Sequence, residues 1–207
     1  MIIAVDGPTA SGKGTIAKAL AAHFDLPHLD TGLLYRAVGS QCAANGGDPN
    51  DPAAALKATD FPASLLDNPE LRSEATGGLA SRVSVHPAVR DALFARQRAF
   101  ATQASGAVLD GRDIGTVIAP DADVKLFVTA SVEARAMRRW KEMTERGENH
   151  ELSSIEDDLR RRDARDMNRK DAPLVAAPDA IVLDTSGLNR EEAIAAAILA
   201  VGEVLAF

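Results

Sequence analysis

Near the N-terminus the chain reads Gly7-Pro8-Thr9-Ala10-Ser11-Gly12-Lys13-Gly14-Thr15, which fits the pattern G-x-x-x-x-G-K followed by Gly and Thr. The apolar run Ile2-Ile3-Ala4-Val5 precedes this stretch, and apolar residues at helical spacing follow from Lys13 to about Phe24. A strand, a glycine-rich turn and a helix in this order predict a phosphate-binding loop. The alternative is a glycine-rich turn with only a structural role.

The residue types of the loop suit the binding of phosphate groups. Glycine lets backbone N–H groups approach phosphate oxygens closely, and a helix that begins near Lys13 directs its N-terminal dipole at the same anion. Lys13 is predicted to reach the β- and γ-phosphates, and a hydroxyl is predicted to serve a Mg²⁺ site. Gly14 stands where Ser or Thr usually follows the lysine, so Thr15 is the candidate for that hydroxyl.

Short apolar runs alternate with helical patterns along the rest of the chain. Further strands are predicted at residues 107–109, 124–128 and 181–183. Helices are predicted after the loop, at about 31–45, after Pro87, after Ser131 and from about Asn189 to Leu205, whereas residues 46–78 show no clean periodicity. Apolar strands separated by helices predict an α/β fold in which helices cover both faces of a parallel sheet.

Charge is distributed unevenly along the 207 residues. The net charge of −7 argues against a general nucleic-acid binder. Residues 133–171 nevertheless contain 11 of the 23 Lys and Arg residues, together with 11 of the 30 Asp and Glu residues. The plain interpretation is a solvated helix face with i,i+4 ion pairs. Because Arg162, Arg165 and Arg169 have helical spacing, we predict instead that they form one stripe that attracts an anionic ligand.

Cysteine count and hydropathy restrict the compartment and the class of protein. The single cysteine, Cys42, excludes an intrachain disulfide and a multi-cysteine metal site. No signal peptide and no apolar window of membrane-spanning length is recognisable. The sequence therefore predicts a cytoplasmic protein of one domain, over residues 1–207.

Four further blocks of the sequence stand out beside the G-K-G-T ending of the loop. They are Leu29–Arg36 (LDTGLLYR), Asp110–Val117 (DGRDIGTV), Arg162–Arg169 (RDARDMNR) and Ala172–Leu174 (APL). The G-K-G-T ending resembles the variant found in nucleoside monophosphate kinases, and the four blocks resemble motifs of one family of these P-loop kinases, the bacterial cytidylate kinases. They occur in the order of the family, and the resemblance extends from residue 1 to about residue 200.

The resemblance implies an architecture and an activity. The fold would be a P-loop kinase core with a five-stranded parallel sheet, a small acceptor-binding region at residues 31–105 and a helical lid at residues 147–171. The activity would be Mg²⁺-dependent phosphorylation of CMP and dCMP by ATP, in a monomer without nucleic-acid or membrane partners. Many family members have a β-rich insert, but the interval between Gly47 and Ser81 is short. We therefore expect the insert to be absent or largely truncated.

The resemblance also implies the residues of the site. ATP would contact Gly7 to Thr15, Arg161 and Arg165, with Thr15 at the metal. The residues with catalytic roles would be Lys13, Arg112, Arg162 and Arg169. CMP would contact Thr31, Tyr35, Arg36, Ser81, Arg90, Asp110, Arg112, Asp113, Arg162, Asp166 and Arg169.

Physical chemistry explains why these residue types suit a nucleotide. Arginine binds phosphate through a planar fork and stays charged, which suits the acceptor's phosphate. A carboxylate accepts a hydrogen bond from the N4 amine of cytosine and repels the O4 of uracil. By resemblance Asp113 reads the base together with Arg90 and Ser81, and Asp166 and Arg162 contact the ribose. No general base is required, since a phosphate acceptor is already ionised.

Three alternatives to this function are open at the level of sequence. The first is another small P-loop kinase, such as a shikimate kinase or a dephospho-coenzyme A kinase, although a neutral acceptor would not need so many arginines. The second is a nucleotide sensor without catalysis, which the intact Lys13 argues against. The third is a nucleic-acid-binding module, which the interspersed acidic residues and the scarcity of aromatic residues oppose.

Overall fold

A computed structural model of the chain describes residues 1–206, in which five parallel strands form one sheet of order β2-β3-β1-β4-β5. This confirms the predicted five-stranded parallel sheet. The shortest strand, β2, was not predicted, because three residues are too few to show a pattern of apolar and polar side chains. The strands are β1 (Ile2–Asp6), β2 (His28–Asp30), β3 (Ala107–Gly111), β4 (Val124–Thr129) and β5 (Ile181–Asp184).

Eight α-helices are described around the sheet. None of them, within residues 1–206, is long and apolar enough to cross a membrane. The predicted caps are present: the Ser131 hydroxyl accepts from Ala134 N, and Asn189 forms a capping box with Glu192. The helices are α1 (Lys13–His23), α2 (Thr31–Ala44), α3 (Pro52–Lys57), α4 (Glu74–Val83), α5 (Pro87–Ala101), α6 (Val132–Glu145), α7 (Leu152–Asn168) and α8 (Arg190–Leu205).

The central strand β1 is buried on both faces. Ile3 and Val5 pack with α1 and α8 on one face, whereas Ala4 packs on the other face with the end of α5 and the residues after β3. Ile3, Ala4 and Val5 are all 0% exposed. A strand covered on both sides needs a continuous apolar run, which is the pattern that made this strand predictable.

The helices between β2 and β3 have an apolar core of their own. Leu34 and Val38 of α2 pack there against Val83 of α4 and Leu93 of α5. The segment without clean periodicity forms the short helix α3 and two turns of 3₁₀ helix, Ala63–Asp67 and Pro69–Arg72. This core holds α2, α4 and α5 together beside the sheet.

Candidate active site

The chemistry-bearing residues follow strand ends that meet at one edge of the sheet. In the register of the strands Asp6 lies beside Gly111, and Asp30 lies beside Asp110. The phosphate-binding loop follows β1, and the Arg112–Asp113 turn follows β3. Ligands of open α/β sheets bind at the carboxyl ends of their strands, so this edge is the candidate site.

The loop depends on glycine at its first position. Gly7 has φ +153°, and a Cβ atom at this position would lie 2.0 Å from the Val128 carbonyl oxygen of β4. A side chain is therefore excluded by the neighbouring backbone. Gly12, at φ +90°, is the N-cap residue of α1, and the helix begins at Lys13. The free N–H groups of this helix end point into the loop.

Lys13 lies buried inside the loop, with its Nζ 3.2 Å from the Pro8 carbonyl oxygen. Burial lowers the pKa of Lys13 to about 7, and the positive charge of Arg112 lowers it further, against the opposing effect of Asp110. An ammonium group in this position lacks a full counter-charge. A bound phosphate group would supply that charge and favour the protonated lysine.

Asp6 fixes the turn after β3 to the strand that leads into the loop. Its carboxylate accepts hydrogen bonds from the backbone N–H groups of Ile114 and Gly115, both at 2.8 Å. Burial raises the pKa of Asp6 to about 6, while these two hydrogen bonds act in the opposite direction. The positions of Arg112 and Asp113, directly before Ile114, therefore depend on Asp6.

A cavity of about 250 Å³, which we call the acceptor cavity, opens beside the loop. All eleven residues predicted to contact CMP line it, together with Thr9, Lys13, Gly77 and Ser84 among others. The eleven are Thr31, Tyr35, Arg36, Ser81, Arg90, Asp110, Arg112, Asp113, Arg162, Asp166 and Arg169.

One part of the acceptor cavity is built around Arg90. This guanidinium pairs with the buried carboxylate of Asp113 and lies 5.7 Å from the centre of the Tyr35 ring. Burial raises the pKa of Asp113, and Arg90 and Arg169 oppose that rise. The Ser81 hydroxyl is also buried in the cavity, and within residues 1–206 it has no hydrogen-bond partner. These groups offer a charged acceptor, a donor and a free hydroxyl to a polar ring.

A second part of the acceptor cavity adjoins the loop. Arg112 donates from Nε to Asp166 and from Nη2 to the Thr9 hydroxyl, each at 2.8 Å. The Thr31 hydroxyl donates to the Asp110 carbonyl oxygen at 2.8 Å, and His28 Nε2 lies 2.7 Å from the Asp110 carboxylate. Arg112 therefore joins the loop to α7 beside the cavity.

Two more predicted arginines enter the cavity from α2 and from the end of α7. Arg36 donates to the carbonyl oxygens of Leu71 and Ser73, both at 2.7 Å, and burial lowers its pKa to about 10. Arg169 donates to the Ala172 carbonyl oxygen at 2.5 Å, and its Nη2 lies 3.5 Å from Asp113. Both guanidinium groups are held by the protein and keep further N–H groups for a ligand.

A second cleft of about 750 Å³, which we call the donor cleft, lies on the other side of the loop. Residues 10–15 of the loop line it, with Arg138 of α6 and Thr185 after β5. The buried Thr185 hydroxyl lies 3.0 Å from the Ser11 carbonyl oxygen and accepts from Arg138 at 3.1 Å. Of the predicted ATP contacts in the loop, Gly7 and Pro8 line neither this cleft nor the acceptor cavity, and Thr9 lines the acceptor cavity instead.

The two predicted lid arginines do not reach the donor cleft in this structure. Arg161 is 66% exposed and pairs with Asp158 at 3.7 Å, and Arg165 donates to the Arg161 carbonyl oxygen at 3.2 Å. The predicted stripe of Arg162, Arg165 and Arg169 is wrong as a helix face. Helix α7 ends at Asn168, and Arg162 is buried in the cavity whereas Arg165 is not.

Arg139 of α6 is a site residue that the sequence motifs did not indicate. It lines both the acceptor cavity and the donor cleft, a position that it shares with Lys13 and Gly14. One helical turn earlier, the buried Arg135 donates to the Thr9 carbonyl oxygen at 3.0 Å and pairs with Asp163 of α7 at 2.6 Å. The available signal was the i,i+4 spacing of two arginines on the helix that follows β4.

The chain is similar to known proteins over nearly its whole length. A sequence model of the family "Cytidylate kinase" matches residues 3–203. The chain is 56% identical to a cytidylate kinase of Caulobacter sp. (strain K31), over 95% of this chain and 91% of the relative. It is 54% identical to the cytidylate kinase of Azorhizobium caulinodans, over 96% of each chain.

A solved structure shows a similar fold at low sequence identity. It is the crystal structure of an uncharacterized protein from Eubacterium ventriosum ATCC 27560, with a TM-score of 0.58 and 14% identity over 100% of this chain and 99% of the other. That likeness concerns the fold alone. The family match covers nearly the whole chain and includes all but the first residue of β1, the other four strands, the loop and the residues of the acceptor cavity. The chain therefore belongs to the cytidylate kinase family, whose members are phosphotransferases.

Proposed function

We propose that this chain transfers the γ-phosphoryl group of ATP to CMP and dCMP, forming CDP and dCDP in pyrimidine nucleotide metabolism. The observation that carries the proposal is the acceptor cavity, in which the eleven residues of the predicted CMP site meet beside the phosphate-binding loop. Lys13, Gly14 and Arg139 line both this cavity and the donor cleft. Two nucleotides bound on either side would therefore meet at these residues.

Arginines next to the loop would bind the acceptor's phosphate. Arg112 is held by Thr9 and Asp166, and Arg36 is held by two carbonyl oxygens, so both guanidinium groups are oriented before a ligand arrives. Phosphate binding by preoriented guanidinium groups needs little rearrangement. We assign the acceptor's phosphate to Arg36, Arg112 and Arg169.

The groups around Arg90 would read the base. Asp113 would accept a hydrogen bond from the exocyclic amine of cytosine, while Arg90 and the unpartnered Ser81 hydroxyl would serve the ring's other polar atoms. Uracil has an acceptor in place of that amine and would face the carboxylate unfavourably. The ribose would lie between the two parts of the cavity, where Asp166 and Arg162 line the wall.

Catalysis would consist of alignment and charge stabilisation. The acceptor oxygen is already ionised, so no side chain has to remove a proton. Lys13 and the arginines would neutralise the charge that develops on the transferred group, and the buried position of Lys13 strengthens its interaction with phosphate oxygens. Arg139 would lie closest to both nucleotides among the α6 residues.

The residues of the donor cleft fit a magnesium ion that arrives with the nucleotide. Thr15 presents a hydroxyl in the cleft, and the Asp110 carboxylate lies beside Gly14, 3.6 Å from the position of a Cβ atom there. Within residues 1–206 no group of three or more His, Cys, Asp or Glu side chains forms a metal cage. Mg²⁺ commonly takes few protein ligands and completes its shell with phosphates and water. Bound Mg²⁺ would neutralise phosphate charge, with Thr15 as its protein ligand.

The residues that line the acceptor cavity also support a role for two regions of the chain. Residues 31–105 would bind the acceptor, since α2, α4 and α5 share an apolar core and line one side of the acceptor cavity. Residues 147–171 would act as the lid, because α7 contributes Arg162 and Asp166 to the opposite side. A lid of this kind would bring Arg161 and Arg165 to the donor only after closing. We also propose a cytoplasmic monomer.

A parallel activity assay tests the function. ADP formation from ATP and Mg²⁺ is measured with CMP, dCMP, UMP, AMP and shikimate, and we expect turnover to be fastest with CMP and dCMP. The Lys13→Met variant, purified in the same way, controls for contaminating kinases, and Lys57→Met, at an exposed residue of α3 that lines neither the cavity nor the cleft, is its matched control. Absence of turnover with both CMP and dCMP would refute the proposal.

A further inference from the structure

Glu74 occupies a fixed position at the N-terminus of α4. It is the first residue of the helix, directly after the cap residue Ser73, where a carboxylate is favoured by the helix dipole. The backbone just before it is held from α2, since Arg36 donates to the carbonyl oxygens of Leu71 and Ser73. The carboxylate of Glu74 is therefore presented from a well-anchored turn.

The Glu74 carboxylate joins three helices. One oxygen pairs with Arg162 of α7, and the other pairs with Arg139 of α6. The Arg162 side chain is only 4% exposed and that of Arg139 is 18% exposed. The sequence motifs pair neither arginine with Glu74. Both arginines line the acceptor cavity.

The position of Glu74 shows whether its carboxylate supports the two arginines or competes with a ligand for them. Glu74 does not line the acceptor cavity or the donor cleft, whereas Gly77, one turn later in α4, lines the cavity. A Cβ atom at Gly77 would lie 3.3 Å from Arg162 Nη1. Arg162 therefore meets Glu74 through Nη2, while its Nη1 lies next to Gly77, a residue that lines the cavity, so the carboxylate supports the guanidinium from outside the cavity.

The local charge balance explains why a carboxylate is needed here. Arg36, Arg139 and Arg162 converge on this side of the cavity, and burial lowers the pKa of all three guanidinium groups. The charge of Arg162 lowers the pKa of Arg139 further. Such a cluster is self-repelling, and two carboxylates offset the repulsion: Glu74, and Asp158 of α7, which lies 3.0 Å from Arg162 Nε.

We propose that Glu74 is a positioning residue of the acceptor site, which holds Arg139 and Arg162 at the cavity and ties the acceptor-binding helix α4 to the lid helix α7. Its effect on CMP rests on the proposed function. The consequence is that removing the negative charge of Glu74 changes the affinity for CMP in the direction opposite to that expected from charge alone. Removing a negative charge near a phosphate site ordinarily favours an anionic ligand, but here the loss of Glu74 weakens CMP binding because the arginines lose their orientation.

The kinetic test compares Glu74→Gln with Glu70→Gln, which removes the same charge from an exposed side chain four residues earlier. We expect Glu74→Gln to raise the KM for CMP about 10-fold, with the KM for ATP raised less than about 3-fold, and Glu70→Gln to leave both near wild type. Glu74→Gln is expected to lower the Tm because the buried Arg162 loses a partner, so the KM values are compared at a temperature at which both variants are folded. An unchanged or lowered KM for CMP in Glu74→Gln overturns the proposal.

A second measurement uses the ligand-free protein and needs no activity. Hydrogen–deuterium exchange of the α7 amides, residues 152–168, should be faster in Glu74→Gln than in Glu70→Gln, because α7 loses its link to α4. Equal exchange in the two variants also overturns the proposal. If exchange in α7 is faster in Glu74→Gln but the wild type does not phosphorylate CMP, the proposed function fails. The role of Glu74 in holding α7 to α4 then still stands.

Discussion

Arg90 and Asp113 form a buried ion pair inside the acceptor cavity, with side chains that are only 9% and 7% exposed. A buried pair of this kind seldom adds much net stability over apolar residues, but breaking it leaves one charge uncompensated. Its position beside Tyr35 and the unpartnered Ser81 hydroxyl favours a role in reading the base. The pair links base specificity to the integrity of the cavity.

Replacing Asp113 with Asn should lower the preference for CMP over UMP. The amide of Asn can donate to the O4 of uracil, whereas the carboxylate repels it, so we expect the ratio of kcat/KM values for CMP and UMP to fall by about 10-fold or more. The ratio is measured with both substrates on the same enzyme preparation.

A surface pair provides the control for this substitution. Arg98 and Asp121 form an exposed pair at 2.6 Å outside the cavity, and Asp121→Asn should leave the ratio unchanged. An unchanged ratio in Asp113→Asn would remove that residue from base readout. Because the substitution leaves Arg90 unpaired, a fall in Tm is also expected, and the ratio is compared only under conditions in which the variant is folded.

Arg169→Ala should impair phosphoryl transfer more than ATP binding. The guanidinium is anchored by the Ala172 carbonyl oxygen and lies near Asp113, on the acceptor side of the loop. Loss of one guanidinium that stabilises the transferred charge commonly lowers kcat by about 100-fold or more. We expect that loss in kcat with CMP, with little change in the Kd for ATP; the neighbouring exposed Lys170→Ala serves as control. An effect confined to the Kd for ATP would move Arg169 to the donor side.

Apolar runs made four strands predictable, and three of these, β1, β3 and β4, are largely buried on both faces, whereas Val182 of β5 is exposed. Ile3, Ala4 and Val5 form a continuous apolar run because helices cover both sides of β1. The run His28-Leu29-Asp30 has polar ends and only three residues, so β2 becomes visible only through its pairing with β3. The 3₁₀ turns after α3 are also short, with five and four residues. Their conformation depends on packing against α2 and α4 rather than on a local sequence pattern.

The candidate site divides in the same way. Motif residues that follow strand ends, such as Arg112 and Asp113, were predictable because the sheet places those ends together. The placement of Arg161 and Arg165 away from the donor cleft was not, since consecutive helical residues differ by about 100° and only the packing of α7 on α6 decides which of them is buried. Arg139 was missed for the same reason: its place between two clefts results from helix packing.

Asp6→Ala should damage the acceptor cavity from a distance. Its carboxylate holds the backbone N–H groups of Ile114 and Gly115, and both would be left buried without a partner. We expect the free energy of unfolding to fall by about 2 kcal/mol or more and the KM for CMP to rise, because the Arg112–Asp113 turn is no longer fixed.

Chemical denaturation and kinetics with varied CMP measure these two effects. Asp123 provides a matched control, since its carboxylate accepts from the Ile2 backbone N–H at 2.7 Å, and Asp123→Ala should leave the KM for CMP unchanged. A wild-type KM for CMP in a folded Asp6→Ala protein would show that the turn is held without Asp6.

Lys13 gives the nucleotide-free protein a distinctive dependence on pH. Its pKa is lowered from the model-peptide value of 10.5 to about 7, so between these values the unfolded state binds more protons than the folded state. Stability from this group therefore rises with pH, by up to about 1.4 kcal/mol per pH unit above pH 7. The Lys13→Met variant lacks the titrating group. We expect it to be more stable than wild type near pH 6.5, with a difference that shrinks as the pH is raised towards 9.

Urea denaturation of the two proteins at several pH values measures this difference. Lys57→Met controls for the general loss of a lysine, because Lys57 is exposed at the end of α3 and lines neither the acceptor cavity nor the donor cleft, so the difference expected for Lys13→Met should be missing from it. ATP should remove the effect in wild type, since the phosphates would provide the missing counter-charge and stabilise the protonated lysine. Parallel pH curves for Lys13→Met and wild type without nucleotide would mean that the Lys13 ammonium group is already fully compensated by Asp110, Asp30 and Asp166.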